Sequence, residues 1–266
     1  MQPQTNSPPI TSMHNSYERY GAFLLQSTIP LFGNKSGKRP KLFGTGFFVS
    51  TKNSIYLISA AHILDNFKEL YFYISPSKKR KLTGKLILTK PATGTSRNED
   101  KLDIAILRLE GVGLPPYPEL NKYPIPISTL LPHAIPRENK QYIIVGFPAT
   151  RSHANPSSNV LEAKAFSYSN VSSSLDVYSR MGVSPRTHIA ISFDRNNVYG
   201  QDGSKLVFPD PHGMSGSPVW LLFDEKGINE KHFTPVVGVV VEYHRNEKVI
   251  IATDIAHALG AINEAA

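Results

Sequence analysis

The sequence contains no cysteine. That excludes disulfides, thiolate zinc sites and any Cys–His catalytic pair, so a covalent nucleophile would have to carry oxygen or nitrogen. Long apolar runs are also missing: stretches such as PVVGVVV are far too short to cross a bilayer. The most apolar N-terminal stretch, GAFLLQSTIPLFG, is broken by Gln26, Ser27 and Thr28 and preceded by Glu18 and Arg19. That is not a secretory pattern. A cytoplasmic protein with no membrane partner is the expectation.

Acidic residues are in deficit. The 29 Lys and Arg against 21 Asp and Glu leave a formal charge of +8, which raises the question of a nucleic-acid partner. Much of the excess, however, is concentrated in NKSGKRPK (34–41) and SKKRKLTGK (77–85). Both read as loops or hairpin ends and lack the interleaved aromatics of a base-stacking platform. They are expected to be solvated faces, and nucleic acid is not the expected partner.

With 266 residues, the chain is long enough for one large domain or two packed subdomains. Its dominant pattern is short β-branched or aromatic runs, such as GTGFFVS, SIYLIS, DIAILRL, QYIIVGF, PVVGVVVEY and KVIIATDI, separated by Gly, Pro, Asn and Ser. Such runs are strands. FFVSTKNSIYLIS reads as a hairpin with Thr51, Lys52 and Asn53 at its tip, and the C-terminal DIAHALGAINEA is the one persuasive helix. Between Leu114 and Pro136 seven prolines interrupt the pattern. Proline donates no ladder hydrogen bond, so this window is a connector between two β subdomains. The expected organisation is a flexible tail over 1–17, a first β unit over 18–113, the connector over 114–136, and a second β unit with the helix over 137–266.

Three polar residues stand out against this apolar text. Ser215 lies in PHGMSGSPVW, where it reads either as a nucleophile or as part of a turn. His62 follows a strand in LISAAHIL, and a lone histidine beside apolar residues is more often structural than catalytic. Asp103 opens the strand in KLDIAILRL, where a turn cap serves as well as an orienting carboxylate.

Taken together, GTGFFVS with LISAAHIL, then LDIAILRL, then PHGMSGSPVW resemble, in order, the signature segments of trypsin-like, chymotrypsin-fold serine peptidases. FPDPHGMSGSPVW is especially similar to the cysteine-free bacterial members. The order His, Asp, Ser is that of chymotrypsin rather than of subtilisins or α/β-hydrolases. The resemblance implies an all-β fold of two antiparallel Greek-key β-barrels with a C-terminal helix. It also implies serine endopeptidase activity on protein or peptide substrates through His62, Asp103 and Ser215, with no cofactor and no metal. The oxyanion would be held by the backbone N–H groups of Gly213 and Ser215, and a side chain at 213 would crowd its donor.

The sequence departs from the family in two places. Gly216-Ser217 follows the nucleophile where many members have two glycines. Met214 stands where digestive members carry an aspartate that pairs with a newly cut N-terminus, so an N-terminal zymogen switch is not expected and apolar packing must shape the loop. By the family pattern the S1 pocket draws on FPDPH and GVVVEYH, with Pro209 at its base. Asp210, His212 and Glu242 are the candidate substrate-binding residues. The two carboxylates would favour Lys or Arg at P1 if they reach the pocket floor, and are rim charges otherwise. The alternative function is a catalytically weak protease fold that binds protein or nucleic acid, and a regulatory partner on another chain is compatible with either reading.

Overall fold

A computed structural model describes residues 24–34, 40–75, 78–91, 93–113, 115–133, 139–154, 161–199, 204–222 and 234–265. The expected tail over 1–17 lies outside them. The first sheet contains β1 (Thr28–Gly33), β2 (Lys41–Ser50), β3 (Ile55–Ala60), β4 (Leu70–Ser75), β5 (Lys78–Lys81), β6 (Gly84–Leu88), β7 (Ile104–Leu109) and the two-residue β8 (Ile125–Pro126). Its order is β5-β4-β1-β2-β3-β7-β6, with β8 pairing on β2.

In the second half of the chain come β9 (Gln141–Gly146), β10 (Ser152–Ala154), β11 (Leu161–Ala163), β12 (Phe166–Val171), β13 (His188–Ser192), β14 (Val198–Tyr199), β15 (Lys205–Leu206), β16 (Pro218–Leu222), β17 (Val236–His244) and β18 (Val249–Asp254). Six of them form the second sheet, in the order β12-β9-β16-β17-β18-β13, while β10 pairs β11 and β14 pairs β15. The main sheets are antiparallel and curled into half-barrels. Sequence-distant strands lie side by side at β3/β7, β9/β16 and β13/β18, the crossovers that Greek-key connectivity requires.

The strand runs are almost wholly apolar because both of their faces are buried. On β3, Ile55 and Leu57 join one core cluster while Tyr56 and Ile58 join another; on β7, Ala105 and Leu107 are separated in the same way from Ile104 and Ile106. Alternation between two cores reads in the sequence as a continuous run. The first cluster also takes in Ala190, Val241 and Ile251 of the second sheet, so it bridges the two sheets. The second cluster is covered by the C-terminal helix (Ala256–Ala265) through Ala258 and Ile262, with Ile255 just before it, packed near Phe47 and Trp220. These positions are spaced as one helical face.

The proline-rich window over 114–136 is tied to both sheets, at its middle and near its end. Ile125 and Pro126 pair in parallel with Val49 and Ser50, and the Leu131 N–H donates to Val236 O of β17. Pro126 thus sits off the main path of the sheet, where its missing donor is tolerated. In one charge run, Lys78–Lys81 forms the outer strand of a hairpin at the sheet edge, paired only to β4, with three of its four residues exposed. Lysines suit an edge because they oppose strand addition by another chain. In the other run, residues 35–39 lie outside the described set. Among the described residues no helix is long and apolar enough to cross a membrane.

Candidate active site

Strand register places the histidine and the aspartate together. Ala60 on β3 pairs with Ile104 on β7, so in an antiparallel ladder Ala61 faces Asp103 and His62 follows, in a single helical turn (Ala61–Leu64). Asp103 then makes three bonds to this corner. Its backbone O accepts the Ala61 N–H at 2.8 Å, its Oδ1 accepts the His62 backbone N–H at 2.8 Å, and its Oδ2 lies 2.5 Å from His62 Nδ1. An ionised carboxylate only accepts hydrogen bonds, so Nδ1 carries the proton and Nε2 is left as the basic nitrogen. The aspartate side chain is 9% exposed and the imidazole 37%. The carboxylate is sheltered from water while the ring stays accessible.

Asp103 adopts φ +43°, a left-handed conformation that aspartate tolerates better than most residues. The second sheet holds the turn that contains it. Thr253 on β18 donates its hydroxyl to Leu102 O at 2.5 Å, and His188 on β13 meets Lys101 O with Nε2 at 2.7 Å. A carbonyl only accepts, so Nε2 carries the proton and Nδ1 accepts from the Thr187 hydroxyl at 2.8 Å. This neutral tautomer matches the pKa of His188, which burial pushes below the ordinary imidazole value. The unfolded chain protonates this residue near pH 6.5, so its contribution to stability is full above that pH and declines as the pH falls through the lowered folded value. Urea midpoints at pH 7.5 and pH 5 should therefore fall further apart in wild type than in His188→Gln, which keeps a donor but does not titrate.

The Ser215 loop docks on the first sheet. Thr45 on β2 donates its N–H to Ser215 O at 2.9 Å and its hydroxyl to Gly213 O at 2.9 Å. Ser59, three residues before His62, donates to Thr45 O at 2.7 Å. Gly216 sits so close that a Cβ would lie 2.0 Å from Thr45 O and 2.2 Å from Ser59 Oγ, and its φ is +87°. The half-buried Ser215 is thereby set against the end of β3 that leads into His62. The loop's own bonds run from Met214 N–H to Pro211 O, from Gly216 N–H to Val240 O and from Ser217 N–H to Met214 O. Among the described residues, neither the Gly213 nor the Ser215 N–H donates to a protein acceptor.

Glycine at 213 has a stronger reason than crowding of its own donor. Its φ is +96°, and a Cβ would meet Ala149 N at 2.8 Å and Phe147 O at 2.9 Å. Any side chain would combine left-handed strain with a backbone clash.

Met214 is 2% exposed and packs with Phe208, Val219 and Val240. Apolar packing does shape this loop, as its thioether requires; the N-terminal residues that a zymogen switch would free lie outside the described set. Met214→Asp would bury a carboxylate in this cluster and should cost about 3–5 kcal/mol, whereas Met214→Leu should cost less than about 1.5 kcal/mol. Urea unfolding of the two variants measures the contrast.

Two of the three candidate pocket residues have side chains already engaged. Asp210 accepts from Arg195 at 3.3 Å and from the His212 N–H at 3.0 Å. Glu242 lies 2.7 Å from Nε2 of His244 on the same strand. The His212 side chain is exposed, and its carbonyl accepts from Ala149 N–H at 2.7 Å. Pro209 is buried. Thr45, Ser59, His188 and Thr253 carry the geometry without having stood out in the sequence. The only signal for Thr45 was a polar residue between the two glycines of GTGFF.

A search of curated proteins finds no match. Among solved structures, the Vibrio cholerae VesB protease is similar with a TM-score of 0.52 at 16% identity, covering 89% of this chain; the match spans 63% of that protease chain. A structure described for the Sesbania mosaic virus VPg protein gives a TM-score of 0.42 at 16% identity, covering 86% of this chain and 87% of that one. The model of the trypsin-like peptidase domain matches residues 44–227, a span that includes His62, Asp103 and Ser215. The chain belongs to the trypsin-like peptidase family.

Proposed function

We propose that the chain is a serine endopeptidase. The reading rests on one observation: Asp103 grips both the backbone and Nδ1 of His62 beside a loop that carries a half-buried serine. Ser215 Oγ attacks the peptide carbonyl while His62 Nε2 takes its proton and then delivers it to the leaving amine. Water, deprotonated by the same nitrogen, hydrolyses the acyl ester and restores the serine. Asp103 holds the productive tautomer and stabilises the imidazolium. The N–H groups of Gly213 and Ser215 receive the oxyanion, and each such donor is typically worth about 3 kcal/mol of barrier.

In this reading Asp210 and Glu242 border the P1 site as members of pairs. A Lys or Arg entering beside Asp210 meets a carboxylate that Arg195 already neutralises, so little charge remains to reward it. The test is cleavage of a peptide library. Cleavage should be found with wild type and lost in His62→Ala, which removes the general base, persist in a metal chelator, and show no dominant Lys or Arg at P1. Absence of cleavage, or its loss in chelator, would overturn the proposal.

A further inference from the structure

We propose that the end of the first half-barrel opposite His62 and Asp103 binds a phosphorylated small molecule of about nucleotide size. A cavity of about 480 Å³ opens there, beside the β2–β3 hairpin tip and the last residues of β7. Its volume falls within the range of small-molecule sites. Three cationic residues line it, Lys52, Lys85 and Arg108, against one carboxylate, Glu110. Among the described residues none of the three cations forms an ion pair or donates to a protein acceptor.

Two of these cations oppose each other directly. Lys85 on β6 is the register partner of Arg108 on β7, and like charges placed opposite each other in an antiparallel pair destabilise it. An anion bound between them turns that repulsion into shared attraction. Phosphate is favoured over a single carboxylate because the lining carries a net charge of +2 and includes a half-buried arginine, whose planar fork matches phosphate oxygens. Leu109 and Tyr117 also line the cavity and supply an apolar and an aromatic surface for a ring. Tyr117 is held at φ +61°, a conformation that bulky residues rarely adopt and that often accompanies binding sites.

The site is separate from the candidate catalytic residues. Asp103 precedes β7, and Arg108 lies five residues further along the strand, about 16 Å away at the usual rise. Neither His62, Asp103 nor Ser215 lines the cavity.

Calorimetric titration of the full chain with ADP, pyrophosphate and adenosine, at about 0.15 M salt, tests the proposal. ADP should bind saturably at one site, pyrophosphate more weakly and adenosine not at all. Lys85→Gln and Arg108→Gln should each weaken ADP binding by about tenfold or more. Lys85 is exposed, so its variant keeps the test valid if Arg108→Gln fails to fold. Peptide cleavage by Lys85→Gln in the absence of ligand should equal that of wild type. Failure of ADP and pyrophosphate to saturate at millimolar concentration would overturn the assignment, as would wild-type affinity in a folded variant. Binding of a single-stranded oligonucleotide without binding of ADP would assign the surface to nucleic acid instead.

Discussion

Ser215→Ala is expected to lower peptide turnover by about a million-fold, the scale at which removing the nucleophile of such a triad operates, while leaving the fold unchanged. The loop is held by atoms that the substitution does not touch. Ser215 contributes its backbone carbonyl to Thr45 N–H, Gly213 its carbonyl to the Thr45 hydroxyl, and Gly216 its N–H to Val240 O. Alanine removes one half-buried oxygen and introduces no strain. The variant should therefore melt within a few degrees of wild type, and any residual activity should come from binding and the oxyanion donors alone. A purified variant that retains turnover within tenfold of wild type would remove Ser215 from the mechanism.

Asp103→Asn is expected to cost about 10⁴ in kcat with little change in KM. The two carboxylate oxygens accept from two different donors, the His62 backbone N–H and Nδ1–H. Asparagine has a single acceptor oxygen. If that oxygen keeps the backbone N–H, the amide NH₂ faces Nδ1, which must then accept, and the proton moves to the nitrogen that should act as base. If it keeps Nδ1, an NH₂ is set against an N–H. Neither arrangement retains both the corner and the reactive tautomer. Nitrogen chemical shifts of the His62 ring distinguish the tautomers, and an unchanged ring spectrum with unchanged kcat would contradict the role assigned to Asp103.

What could be read from the sequence was what lies in short, self-contained text. The strands around His62, Asp103 and Ser215 were legible because each is a compact apolar run, and the C-terminal helix because Ile255, Ala258 and Ile262 recur at helical spacing. The short helix Leu175–Met181 was not legible. It makes barely two turns and is defined chiefly by its exit, where Gly182 at φ +65° lets the Val183 N–H reach Tyr178 O. Strand β1 was hidden in a stretch valued only for its lack of a secretory pattern. The partner of Asp210 depended on the fold, since Arg195 comes from a separate segment, whereas Glu242 and His244 are two apart on one face of β17 and their contact was within reach of the strand period alone. The clamp of Thr253 and His188 on the Lys101–Leu102 turn joins residues from opposite halves of the chain, a relation that only the folded register of the two sheets creates.

If Ser215 is a nucleophile activated by His62, a fluorophosphonate should react with it, because that reagent marks a serine whose proton is being withdrawn. Mass spectrometry of the treated chain should find one stoichiometric adduct on the peptide containing Ser215, formed by wild type and lost in His62→Ala. No adduct on folded wild type, or an adduct on another residue with Ser215 unmodified, would contradict that activation.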